Sequence, residues 1–149
     1  MLAATAAVIG LDQFTKQLAL DRLADGPIDV VEGALTLRLS YNPGGAFGIL
    51  EGIPVFFLIS TVVVALAIVL WARKVEEPSW GICLGMVLGG GLGNLIDRVF
   101  RSTGGRVVDF IDLHVWPVFN VADSFIVTGV ALLLILSVRA DRAESRRAV

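Results

Sequence analysis

Residues 118–138 read VFNVADSFIVTGVALLLILSV, an apolar run interrupted by one charge, Asp123. A helix of about 20 residues rises about 30 Å, the thickness of a bilayer's hydrocarbon layer, so this run has the length of a membrane span. A carboxylate costs roughly 2.5–3.5 kcal/mol at the centre of such a span, and a chain keeps one only where something offsets that cost. Asn120, Asp123 and Ser124 are spaced n, n+3, n+4 and share one helix face, which cannot look at lipid. A second aspartate, Asp109, stands just before the run among polar residues of its own.

The rest of the chain fits a membrane protein. It has 149 residues, 56% of them hydrophobic, and a mean hydropathy of +0.81. That is too apolar for a soluble core with a polar shell. The expected architecture is one mainly α domain over residues 1–149, with four transmembrane helices at about 1–22, 52–72, 79–98 and 118–138. The first stretch lacks the basic start and small-residue cleavage site of a signal peptide, which favours a retained span. The apolar residues before Asp12 leave none to spare for a span, so a start further upstream stays open. An even number of spans puts both termini on one side. Arg73, Lys74, Arg139, Arg142, Arg146 and Arg147 gather there, against Arg38, Arg101 and Arg106 in the opposite loops with Arg22 and Arg98 near span ends, a modest bias by which the termini are expected to be cytoplasmic. No basic block suggests nucleic acid. One Cys and one His exclude disulfide frameworks and Cys/His metal clusters, and Cys83, within an apolar run, reads as a packing residue.

Two features organise the remainder. Leu35, Leu37, Leu39 and Tyr41 alternate with Thr36, Arg38, Ser40 and Asn42, the period of a strand with one apolar face. Its expected partner is Arg106–Leu113, giving a small outer β element drawn from about 28–42 and 104–113, followed by a glycine-rich turn over Asn42–Gly48. In the third span Gly81, Gly85, Gly89 and Gly93 recur every four residues, a stripe that admits a neighbouring helix backbone closely. No GxGxxG or GK[ST] spacing accompanies it, so it is a packing feature rather than a phosphate loop.

The polar residues then suggest a chemistry. Asn94, Asp97 and Arg98 close the third span with the same n, n+3, n+4 spacing as the fourth span's cluster. A structural network in which Arg98 neutralises an aspartate is one reading; two matched clusters plus Asp109 favour a site. Asp12 and Lys16, at i,i+4 with the acid first, read as a mutually neutralising structural pair, although Lys16 could instead reach the surface and leave Asp12 to another helix. The residues between Asp109 and Asp123 suffice for a turn that returns Asp109 over the helix end, with Asp123 about five residues into the helix. Two adjacent carboxyls share a proton. One then serves as base on a water while the other polarises a peptide carbonyl, which is aspartyl proteolysis and needs no metal or cofactor.

Several blocks carry a specific resemblance: Asp12-Gln13-Phe14-Thr15-Lys16, Asn42-Pro43-Gly44-Gly45-Ala46-Phe47, Gly93-Asn94-Leu95-Ile96-Asp97-Arg98, Val108-Asp109-Phe110-Ile111 and Phe119-Asn120-Val121-Ala122-Asp123-Ser124-Phe125-Ile126. In that order, they resemble the bacterial lipoprotein signal peptidases, or signal peptidase II. Gly45 stands where that family commonly has alanine. The resemblance implies an aspartyl endopeptidase of the bacterial inner membrane, with an outer β-cradle and its active site near the extracytoplasmic surface. It implies a substrate, a prolipoprotein cut before a diacylglyceryl-modified cysteine, and inhibition by globomycin-type peptides. By the same resemblance Asp109 and Asp123 are catalytic, Asn42, Asn94, Arg98 and Asn120 line the substrate pocket, and Asp12, Lys16 and Asp97 support it. Membrane lipid is the other expected partner, and the working unit is expected to be a monomer.

The runner-up reading is a small transporter or channel subunit with an intramembrane polar network. It predicts polar residues through the bilayer and an inverted repeat, whereas here they gather at the outer ends and no repeat is visible. A structural assembly subunit docking through the glycine stripe leaves Asp109 beside Asp123 unexplained. A presenilin-like protease needs GxGD, and Gly91-Leu92-Gly93 is followed by Asn94.

Overall fold

The computed structural model describes residues 1–44 and 54–147. Four helices, α1 (Leu2–Arg22), α2 (Pro54–Ala72), α3 (Pro78–Phe100) and α4 (Val121–Arg147), accompany three strands, β1 (Ile28–Val31), β2 (Leu35–Asn42) and β3 (Val107–Asp112). Among the described residues, α3 and Val121–Ala143 of α4 are long and apolar enough to cross a membrane; Leu58–Ala72 of α2 is apolar but shorter. Val127, Leu134, Ile135 and Val138 of α4 are exposed, as a lipid-facing surface requires. The chain is a mainly helical protein with apolar helices and a small sheet. The start of the expected second span and most of the Asn42–Gly48 turn, Gly45 included, lie outside the described residues.

α3 is the central helix and packs against each of the others. Its glycine stripe faces α1: a Cβ on Gly85 would lie 2.6 Å from Met1 O, and one on Gly89 2.8 Å from Val8 Cβ. Off the stripe, Gly90 admits α4, where a Cβ would lie 2.5 Å from Ala122 O. The packing role read from the sequence is therefore the observed one, and Cys83, also buried, belongs to the α3–α4 contact.

The sheet is antiparallel with order β1-β2-β3. β1 lies within the expected segment 28–42 but is a strand of its own paired with β2, a division the sequence did not show because its residues are exposed and carry no burial pattern. β2 also departs from strict alternation: Arg38 and Tyr41, which an unbroken period would put on opposite faces, are both exposed. A bulge is the reason. Leu37 pairs with Ile111 but Ser40 pairs with Asp109, so β2 holds one residue more than β3 across this interval. The extra residue switches which residues of β2 share a face with β3.

α4 begins later than the expected 118. Asn120 Oδ1 accepts from the Asp123 amide at 3.0 Å, and Asp123 Oδ2 accepts from the Asn120 amide at 3.2 Å. This reciprocal capping box ends the extended backbone at Asn120 and makes Asp123 the third residue of α4 rather than about the fifth of a span.

Candidate active site

Three local devices bring Asp109 and Asp123 together. Phe119 bridges to the outer edge of β3, its amide donating to Ile111 O at 3.0 Å and its carbonyl accepting from the Ile111 amide at 2.9 Å. This tethers the start of α4 to the strand that carries Asp109. The capping box then fixes Asp123 one turn later, and the bulge brings Asn42 onto the same face as Asp109. Strict alternation from Leu37 would have sent Asn42 to the other face.

The two carboxyls are held by amide donors. Asp109 Oδ1 accepts from Asn120 Nδ2 at 2.6 Å and Oδ2 from Asn42 Nδ2 at 3.0 Å. Asp123 Oδ1 accepts from Asn94 Nδ2 at 2.8 Å. Asn120, completely buried, touches both acids and also donates to Asn94 Oδ1 at 3.0 Å. Burial, and after it the charge of Asp123, push the Asp109 carboxyl from its usual 3.8 up to about 7. Arg98, reaching from α3, donates to Asn94 O at 3.4 Å, and its charge faces Asp123 and Asp109. Arg98 also interacts with the charge of Asp97, which in addition binds Lys16 at 2.8 Å and Arg101 at 2.9 Å.

Beneath these lies a second polar cluster. Lys16, with no exposed side-chain surface, binds Asp12 at 2.9 Å as the i,i+4 spacing predicts. It does not reach the surface; its ammonium also meets Asp97. Asp12 Oδ1 caps the Ala122 amide at 3.0 Å, and Asp97 Oδ2 accepts from the Val108 amide at 3.1 Å, so the pair ties α1 and α3 to the backbone beside both acids. Gly93 leaves the room Asp12 occupies, since a Cβ there would stand 2.6 Å from Asp12 Oδ2. Gln13 and Arg101, absent from the candidate residues read in the sequence, complete the cluster through a 2.9 Å hydrogen bond. Arg101 had a signal: it follows Asp97 at i+4, as Lys16 follows Asp12.

An apolar groove of about 310 Å³ adjoins Asp123, lined by Leu113, Trp116, Phe119, Ser124, Val127 and Thr128. Two carboxyls held by amides, one able to keep a proton near neutral pH, can activate water and polarise a carbonyl. The groove can seat an apolar chain beside them.

Comparison with known proteins bears on this site. The family model of signal peptidase (SPase) II matches residues 4–139. A lipoprotein signal peptidase of Rhodococcus jostii (strain RHA1) is 43% identical over 134 residues, covering 87% of this chain and 68% of its own. One from Mycobacterium avium (strain 104) is 43% identical over 143 residues, covering 93% and 78%. A solved structure described as a bacterial membrane enzyme, obtained by the in meso method at 1.9 Å resolution, superposes with a TM-score of 0.79 at 33% identity, covering 90% of this chain and 89% of that one. Another, at 2.3 Å resolution, gives 0.78 at 30% identity, covering 92% and 86%.

Proposed function

Because the chain belongs to the signal peptidase II family, and is thus a membrane peptidase that removes signal peptides from prolipoproteins, we propose that Asp109 and Asp123 are its catalytic dyad. The observation that carries this reading is Asn120, which donates to both carboxyls from one buried position, with Asp109 poised to hold a proton. In the proposed reaction Asp123 takes a proton from water as its oxygen attacks the scissile carbonyl carbon, and Asp109 gives its proton to the carbonyl oxygen. The tetrahedral diol then collapses. Asp123 returns the proton to the leaving nitrogen as the C–N bond breaks, and Asp109 recovers one from the diol hydroxyl.

Asn42, Asn94, Arg98 and Asn120 border the proposed pocket. The amides of Asn94 and Asn120 are engaged with the acids and with each other, and Asn42 holds Asp109 from the strand side, so the asparagines shape the pocket by fixing the two carboxyls. Asp12, Lys16 and Asp97 support the site from below. The substrate is a prolipoprotein with a diacylglyceryl cysteine, entering from the bilayer so that its apolar portion follows the groove beside Asp123. The chain acts as one domain over residues 1–149, a monomer with four spans in the bacterial inner membrane, its termini cytoplasmic and its dyad near the extracytoplasmic surface. Membrane lipid surrounds it, no cofactor is required, and globomycin-type peptides compete for the cleft.

The test is cleavage of a synthetic diacylglyceryl-modified prolipoprotein by the purified protein with a metal chelator present, alongside Asp123→Asn and a globomycin control. Chelator-resistant, globomycin-sensitive cleavage that disappears in Asp123→Asn is expected. Appreciable turnover by that variant would refute the dyad.

A further inference from the structure

The mechanism above makes no use of Lys16, yet its ammonium is connected to both acids. An ammonium has three donors, and here they meet Asp12 Oδ2 at 2.9 Å, Asp97 Oδ2 at 2.8 Å and Asn94 Oδ1 at 2.9 Å. Ion pairing accounts for two of these contacts and leaves the third unexplained. Asn94 Oδ1 also receives Asn120 Nδ2 at 3.0 Å. Rotating the Asn94 amide by half a turn would set its NH2 against an ammonium and another NH2, and would place its oxygen against Asp123. The orientation is fixed, and Nδ2 must face Asp123 Oδ1. Asn120 is constrained in turn, because its two N–H groups go to Asn94 Oδ1 and Asp109 Oδ1 while its Oδ1 takes the Asp123 amide.

We infer that Lys16 is a positioning residue for the dyad: through Asn94 Oδ1 it sets the direction of both asparagine amides, so that Asp123 and Asp109 each face a donor and keep their remaining lone pairs for water and substrate. The inference rests on the dyad reading. It differs from a purely structural role, in which neutralising Asp12 and Asp97 would be the whole contribution of Lys16. Among the described residues the other charge facing the dyad is Arg98 on α3, itself beside Asp97, and the described part of α2 brings none.

Removing Lys16 alone strands buried carboxylates, so the test uses charge-balanced variants of the full chain in detergent. Lys16→Met/Asp12→Asn has no donor for Asn94, whereas Lys16→Gln/Asp12→Asn retains one. The first should lose about 10²-fold in kcat, as a small misplacement of catalytic groups does, with KM within about threefold and the acid limb of the rate profile moved to higher pH. The second should recover about tenfold at equal thermal stability, as a restored orienting hydrogen bond does. Adding Asn94→Ala to the first should cost little more than Asn94→Ala alone, since both cut one connection. Equal rates for the Met and Gln variants, or a wild-type pH profile in the Met variant, would overturn the inference. If neither folds, Asn94→Ala decides, because it leaves both ion pairs of Lys16 in place: a pH profile superimposable on wild type would overturn it. Asp123→Asn is assayed in parallel. Turnover there removes the dyad itself, while a dead Asp123→Asn beside unaltered Lys16 variants removes the present inference alone.

Discussion

The two polar clusters at this end of the helices use the same residue types to opposite effect. Around Lys16, acids face cations: Asp12 and Asp97 meet Lys16, and Asp97 also meets Arg101. Around Asn120, acids are hydrogen-bonded by neutral amides and face one another's charge, with Arg98 the cation nearby. Paired charges in a low-dielectric interior hold helices together and resist proton exchange. Carboxyls hydrogen-bonded by amides, with the Arg98 charge beside them, keep their positions and stay free to take and give protons. The difference between scaffold and proposed catalyst thus lies in the partners rather than in the aspartates.

This contrast can be broken most severely at the dyad. Asp109→Asn and Asp123→Asn should each reduce cleavage by about 10³-fold or more, given what a positioned acid or base contributes, while thermal unfolding in detergent shifts little because the amide keeps the carboxyl's shape. A large loss of stability in these variants would make the dyad part of the scaffold. The converse is Asp12→Ala, which leaves Lys16 with Asp97 and frees the Ala122 amide. It should cost about 3–5 kcal/mol of stability, the range for a broken buried pair, read as lower yield and unfolding temperature. A fully stable but inactive Asp12→Ala protein would move Asp12 into the active site.

A pH titration sharpens the comparison. Asp109 holds its proton up to about 7, so with Asp109 as the acid, kcat/KM should fall about tenfold per pH unit above that value. Stability follows the same group. Below the ordinary value of 3.8 both folded and unfolded chains hold the proton; between there and about 7 the unfolded chain releases it first, so stability declines as pH rises. Asp109→Asn should flatten that decline, and an identical slope in the variant would count against the raised value. The smallest effect tests the scaffold's packing. Gly89→Ala brings a methyl against Val8 and Thr5 and should cost about 1–3 kcal/mol, whereas Gly10→Ala meets nothing within 4 Å and should gain about 0.5–1 kcal/mol in helix stability. Chemical unfolding of the two variants side by side checks both, and equal shifts would contradict the observed seating of α1 on the stripe.

Sequence reasoning succeeded where spacing along one helix determines the contact. The Asp12–Lys16 pair, the glycine stripe and the return of Asp109 over the start of α4 all follow from 3.6-residue periodicity and chain length. It failed where the decisive partner is remote or the period changes. The connection from Lys16 to Asn94 crosses 78 positions, and β1 shows no burial alternation. The capping box was legible in principle as Asn120-x-x-Asp123, but the apolar residues on both sides extended the apparent span and concealed the helix boundary.

The bulge in β2 carries a consequence for how this chain tolerates changes in length. Upstream, the Glu32–Ala34 turn between β1 and β2 can grow or shrink without disturbing any contact to Asp109, since the pairing of β2 with β3 is set independently. Between Leu37 and Asn42 the demand is different: removing the one surplus residue would leave Ser40 opposite Asp109 and Asn42 on its face, whereas an unbroken period over the full segment would rotate Asn42 away from Asp109. The bulge, more than composition, is what this short segment must preserve at its present length, and a substitution that flattened it while leaving every apolar residue of the strand intact would still dismantle one wall of the site.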